Sequence, residues 1–183
     1  PLVLEVNGIV SEELPLVHPS RSVRLMAALV RLVEAANFRL ATSFVVVAPG
    51  IKEILVQHYR LDPVRIHVIP NGANVAHFRP RPAAEARAEL GLQAAGPVVG
   101  FVGNLQPWHG VDLLIAAAPH VLAQLPATHL VVVGDGPQRE ELARRAAELG
   151  IAGQVSFTGA VPYSDTPLYM ASFDVCAAPF PAS

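Results

Sequence analysis

The sequence predicts an α/β fold with parallel, doubly wound sheets. Short apolar runs rich in β-branched residues recur at 44–48, 65–69, 97–102, 130–133 and 155–158. The runs at 97–102 and 130–133 are apolar throughout, as strands covered on both faces are. Amphipathic stretches of helical period lie between the runs, and glycine or proline turns mark the junctions.

Taken in order, residues 1–6 read as an extended apolar strand and the next residues as a loop through Pro15 and Pro19. Ser20 or Ser22 then caps a helix to about Phe38. Its apolar positions Leu25, Leu29, Leu32, Val33 and Ala36 follow the 3.6-residue period, with Arg21, Arg24 and Arg31 on the far face. Such a helix either covers a sheet with its arginines in solvent or lies on an anionic membrane surface. A strand over 44–48, a helix over 51–59 and a strand over 65–69 follow, the last ended by the turn signal Pro70-Asn71-Gly72. Residues 73–82 are irregular, and 83–90 form a short helix closed by Gly91.

From Pro97 the alternation is clean. A strand leads to a helix over 111–125 that Pro119 interrupts. The strand 130–133 leads through Gly134-Asp135-Gly136-Pro137 to a helix over 138–149, with Pro137 at its start and with Glu140–Arg144 and Glu141–Arg145 as i,i+4 pairs. A strand over 155–158, a turn at Gly159-Ala160-Val161-Pro162, a helix over 163–172 and a last apolar run over 175–178 complete the series. The domain boundaries expected are 1–74, a junction over 75–96, and 97–183.

Composition narrows the classes of function. With 52% hydrophobic and 15% charged residues among 183, a large core is expected and disorder is not. A net charge of −2 gives no footprint for nucleic acid. The seven histidines, His18 among them, lie at no zinc spacing, so no metal is expected. The single cysteine, Cys176, is expected to pack as a small hydrophobe and suits a reducing compartment. Glu5 and Asn7 break the first apolar run, so no secretory leader is read there, and no apolar stretch nears the ~20 residues of a membrane span. A cytoplasmic chain is expected, with attachment at the inner membrane face through the basic helix as its option.

The chemistry concentrates in the glycine turns. The stretch from Pro97 to Leu114 is a strand, a loop at Gly103-Asn104, and a helix start after His109-Gly110. Backbone N–H groups and the helix dipole favour an anion at such a junction, although a βα turn can equally hold no ligand. Three such turns, at Gly103, at Gly134-Asp135-Gly136 and at Gly159-Ala160-Val161, would line the crevice at the carboxyl ends of the strands, where a nucleoside diphosphate fits. A dinucleotide fingerprint is excluded because Arg139 stands where its third glycine belongs. Neither a GxxxxGK[ST] loop nor a GxSxG elbow occurs.

Five ordered motifs together carry a resemblance: Val68-Ile69-Pro70-Asn71-Gly72; Gly100-Phe101-Val102-Gly103 with Pro107-Trp108-His109-Gly110; Val131-Val132-Val133-Gly134-Asp135-Gly136-Pro137; Phe157-Thr158-Gly159; and Asp174-Val175 to Pro179. The chain resembles a retaining glycosyltransferase of the group 1, family 4 type. The resemblance implies parts of two Rossmann-like domains of a GT-B architecture: the C-terminal part of the acceptor-side domain over 1–74 and the N-terminal part of the nucleotide-sugar domain over 97–183. It implies an internal piece, inactive alone, since members carry strands that would precede Pro1 and a Glu-x7-Glu segment beyond an end like Pro179-Phe180-Pro181.

By the same resemblance, Gly103, Asn104, His109 and Gly110 would hold the donor diphosphate, and Gly134, Asp135, Gly136, Gly159, Ala160 and Val161 the nucleotide. Asn104 and His109 stand where members commonly carry arginine and lysine. His109 and Asn7 are the catalytic candidates; Asn7 also reads as a strand-end turn residue. The implied reaction moves a sugar from a nucleoside-diphosphate sugar, a co-substrate and not a cofactor, to a hydroxyl of a glycan or lipid-linked acceptor, with retention. A nucleotide-sugar 2-epimerase and a non-catalytic nucleotide-binding relative share the architecture and stand as alternatives.

Overall fold

The computed structural model describes residues 1–17 and 20–179. His18, Pro19 and the strand-end residues Phe180 and Pro181 named above lie outside them. The chain divides between Ala73 and Asn74 into two compact units. Residues 75–96, expected as a junction, fall within the second unit.

The first unit holds β1 (Val3–Val6), α1 (Val10–Val17), α2 (Arg21–Leu40), β2 (Ser43–Val46), α3 (Pro49–Tyr59) and β3 (Ile66–Val68). Its three strands are parallel in the order β1-β2-β3, with Leu4 beside Phe44 and Phe44 beside Ile66. The side chains of Phe44 and Val46 on the central strand are fully buried, among Val6, Phe38, Leu55 and Ile66. Rings hold α2 and α3 to this core: Phe38 meets Phe44 and Tyr59 edge to face at 5.8 and 4.9 Å.

A polar network ties α1 into the same unit. The Tyr59 hydroxyl donates to Glu34 Oε2 at 2.6 Å, so Ser11 Oγ, 2.9 Å from Tyr59 Oη, donates to it in turn. The Ser11 N–H donates to Glu34 Oε1 at 3.3 Å. Burial, with the bond to Glu34, pushes the Tyr59 phenol up to about 12.

The second unit holds α4 (Ala83–Glu89), β4 (Val98–Val102), α5 (Val111–Gln124), β5 (His129–Val133), α6 (Arg139–Glu148), β6 (Val155–Gly159), α7 (Thr166–Ser172) and β7 (Val175–Cys176). All four strands are parallel, in the order β6-β5-β4-β7. Alternation along β5 feeds two cores. Leu130 and Val132 pack with Phe101, Ile115 and Leu142 on one face, and Val131 and Val133 pack with Val98 and Phe173 on the other. Gly100 lets Phe173 lie on the sheet, since a Cβ there would sit 2.0 Å from the ring. Asp174 fastens the start of β4: its Oδ2 accepts from Val98 N and from Arg87 Nη2, each at 2.6 Å. The Val98 N–H, and after it the Arg87 guanidinium, hold this carboxyl below the usual aspartate range.

Several expectations change. Pro15 lies inside α1, where a loop was expected; the helix starts with Ile9 O accepting from Glu12 and Glu13 N–H while Glu13 Oε1 accepts from Ile9 N at 3.2 Å. Those bonds set the turn before the proline is reached. Helix α5 runs unbroken across Pro119, which forfeits one backbone bond and leaves the packing of Ile115 and Ala118 to hold the turn. Pro137 precedes α6 by two residues, and α7 starts at Thr166, with 163–165 in a turn. The pairs Glu140–Arg144 and Glu141–Arg145 give way to Arg144 bridging Glu141 and Glu148, with Arg145 3.5 Å from Glu148. Pro70-Asn71-Gly72 runs without a turn; the turn comes later, where Asn74 Oδ1 accepts from the N–H of Ala76 and His77 at 3.2 Å. Cys176 is exposed, because β7 is a two-residue strand at the edge of the sheet.

The largest change concerns α2. Ser20 is its cap, accepting from Val23 N at 3.2 Å, as expected. The buried side, however, is the one bearing Ala27, Phe38 and Glu34, and the leucine stripe faces outward. Arg31 is exposed, as expected, and also lies 3.7 Å from Glu12 and over the Tyr59 ring.

Candidate functional site

In the second unit the chain winds from β4 through β5 to β6 on one side, then returns to place β7 on the other side of β4. The strand order therefore reverses between β4 and β7, and an open parallel sheet has its ligand crevice at the carboxyl end of that reversal. The loop that leaves β4 at this point is Gly103 to Gln106, followed by a 3-10 turn over Pro107–His109 and then α5.

Gly110 makes the junction with φ +66°, a left-handed conformation that glycine adopts without cost. It is the N-cap of α5 and brings no side chain to satisfy the first-turn N–H groups. A 14-residue helix thus presents its positive end beside the switch point. Asp112, in that first turn, is the one carboxylate its sequence sets there.

His109 is oriented by its own loop. Its Nδ1 bonds the carbonyl oxygen of Asn104, and a carbonyl can only accept, so the proton sits on Nδ1. The ring lies 6.2 Å from Phe101 and 6.1 Å from Trp108, centroid to centroid. A protonated ring at this position would bring one positive charge to the helix start.

Other donors expected to face a ligand are committed elsewhere. The N–H of Gly103 bonds Val133 O at 3.0 Å, that of Leu105 bonds Asp135 O at 2.9 Å, and that of His109 bonds Gln106 O at 3.0 Å. Gly134 N donates to Gly159 O at 2.9 Å, and Gly136 N to Asp135 Oδ1 at 2.8 Å. What the loop offers an anion is the first turn of α5 and the Asn104 amide, with the His109 ring, tied to Asn104 O, beside them.

The glycines of the second turn serve close approach. A Cβ on Gly134 would lie 1.9 Å from Gly103 O, and one on Gly136 would lie 2.6 Å from Asn104 Oδ1. The loops after β4 and β5 therefore interlock, with the Asn104 side chain laid against Gly136. The third turn joins them through Gly159, whose φ is +76°. Ala160 is exposed there, while Val161 packs with Val98, Val131 and Phe173. All the predicted positions from Gly103 to Val161 thus lie along one edge of one sheet.

Arg139, read from sequence only as a misplaced third glycine, is a cation at that edge. Its Nη1 lies 3.5 Å from Asp135 Oδ2, and its guanidinium would touch a Cβ on Gly159 at 3.7 Å. The first residue of a helix that follows a glycine turn is the signal that locates it. A hollow of about 500 Å³ lies beside it, lined by Asp135, Pro137 and Arg139. Two further hollows, of about 420 and 760 Å³, lie away from the glycine turns, between residues 76–82 and α7.

Asn7 belongs to the first unit, one residue past β1, at the carboxyl edge of that sheet. It is exposed, and its Nδ2 donates to Glu5 Oε1 at 3.3 Å. Among the described residues no group of three or more metal-ligating side chains is clustered.

Residues 96–182 match the family described as glycosyl transferases group 1, and residues 1–77 match glycosyltransferase family 4. Among curated proteins, the chain is 39% identical to a D-inositol 3-phosphate glycosyltransferase of Segniliparus rotundus, over 68% of this chain and 29% of that protein. It is 40% identical to a GDP-mannose-dependent alpha-(1-6)-phosphatidylinositol monomannoside mannosyltransferase of Mycolicibacterium smegmatis, over 61% of this chain and 29% of that protein. The chain thus spans under a third of these relatives' length. Among solved structures, HepE of Anabaena in complex with UDP-glucose superposes with a TM-score of 0.72 at 30% identity, over 97% of this chain and 46% of that one.

Proposed function

The chain belongs to the group 1, family 4 glycosyltransferases, and we propose on that basis that the β4–α5 loop of its second unit seats the diphosphate of a nucleotide-sugar donor. The observation that carries this is the uncapped start of α5 at the reversal between β4 and β7. Gly110 opens it, and Asn104 and His109 flank it. Glycosyl transfer with retention breaks the bond between the anomeric carbon and the diphosphate oxygen, and the diphosphate leaves with the electron pair. Negative charge grows on it in the transition state, where a helix N-terminus, an amide donor and an imidazolium are worth most.

The three turns divide the donor among them. The Gly103–Gly110 loop takes the diphosphate, and the edge formed by Gly136, Arg139 and Ala160 takes the nucleoside. The acceptor is a hydroxyl of a glycan or of a lipid-linked glycan. The relatives' names carry both GDP and UDP, so both nucleotides are tried as donors.

The test is turnover by the protein that contains this chain, with UDP- and GDP-linked sugars. His109→Ala is expected to lower kcat about 10²-fold, the scale of one lost charge-stabilising donor. Unchanged kcat in that variant would overturn the role of His109.

A further inference from the structure

Helix α2 carries two apolar stripes, and only one is used. At about 100° per residue, Val23, Ala27, Val30, Glu34 and Phe38 share the side that meets the sheet and α1. On the opposite side Leu25, Leu29, Leu32, Val33, Ala36 and Leu40 form a second stripe along the ~30 Å of a 20-residue helix. Its large members are 68%, 58%, 69%, 61% and 74% exposed at Leu25, Leu29, Leu32, Val33 and Leu40. An apolar surface of that extent marks an interaction site.

Charge decides the kind of partner. Arg21, Arg24 and Arg39 border one edge of the stripe, and none has an acidic side chain within ion-pair distance among the described residues. The one carboxylate of α2 is Glu34, turned inward to Tyr59 and Ser11. The outward side is thus apolar with a purely cationic border. A second copy of this chain would bring the same arginines to the same face with no carboxylate to meet them, which disfavours self-association. Among the described residues no helix is long and apolar enough to cross a membrane.

We propose that the outward face of α2 docks in the plane of an anionic lipid surface, with Leu25, Leu29, Leu32 and Leu40 in the acyl boundary and Arg21, Arg24 and Arg39 at the headgroups. A helix with one apolar side and arginines at its border binds this way, by buried apolar area plus attraction to anionic lipid. The proposal stands apart from donor binding, since vesicle association needs no nucleotide.

Sedimentation of the chain with vesicles tests it, comparing phosphatidylcholine alone with phosphatidylcholine plus phosphatidylglycerol. The expected result is association with the anionic vesicles that weakens with salt. The combined change Arg21→Gln, Arg24→Gln and Arg39→Gln is expected to lower partitioning about a hundredfold, at roughly fivefold per arginine. Leu29→Gln with Leu32→Gln is expected to lower it as well, while the melting temperature of both variants stays near that of the parent, because every altered side chain is exposed. No association of the parent with anionic vesicles would overturn the proposal, as would arginine variants that partition like the parent. A dimer dissolved by the leucine changes, without vesicle binding, would assign the face to a second copy instead and overturn it too.

Discussion

A side chain at Gly134 has no room: its Cβ would meet Gly103 O at 1.9 Å, with φ at +133°. Gly134→Ala is therefore expected to cost about 2–3 kcal/mol in urea unfolding, from strain plus the loss of contact between two loops; a change under about 0.5 kcal/mol would contradict the interlocked geometry. This glycine was legible in the sequence as a turn and as a candidate nucleotide contact. Its packing duty was not, because the atom it must avoid belongs to a residue 31 positions earlier (134 − 103), in the loop that leaves the neighbouring strand. The same limit hid Arg139, whose position over Gly159 depends on how two turns meet in space. His109 and Gly110 were legible because their geometry is local. The αL glycine and the bond from Nδ1 to Asn104 lie within one short loop.

Among the elements, strands and turns followed from the sequence to within a few residues, since continuous apolar runs ended by glycine or proline leave few other readings. Helix α2 was legible as a helix, cap included, and misleading as to its inner side. Periodicity locates an apolar stripe without saying which stripe is covered, and here the richer one is outside. The inner side is held by shape and polarity: Ala27 allows close approach, Phe38 meets two rings, and Glu34 is bonded to Tyr59 and Ser11. Phe38→Ala is accordingly expected to cost about 3–5 kcal/mol, against within about 0.5 kcal/mol for Leu29→Ala. Thermal melts of the two variants check this; equal losses would mean that both stripes are covered in solution. A sequence reading finds Glu34 and Tyr59 only as separate polar residues, 25 positions apart.

At the scale of the whole molecule, the order β6-β5-β4-β7 does for the second unit what no single motif does. It brings three turns separated by tens of residues to one edge and sets the start of α5 at the reversal. The ordered motifs made this architecture legible, whereas the commitment of the loop donors at its edge was not. Most loop N–H groups between Gly103 and His109 are spent on neighbouring carbonyls, which concentrates the site at Asn104, His109 and the first turn of α5. The most direct measurement is an amide-resolved NMR titration of the chain with UDP and GDP. The account predicts saturable shifts centred on Asn104 and on His109 to Asp112, with a second group at Arg139 and Gly159 to Val161, and loss of the first group in Gly110→Val. Shifts confined to the hollow between residues 76–82 and α7, or none with either nucleotide, would contradict it.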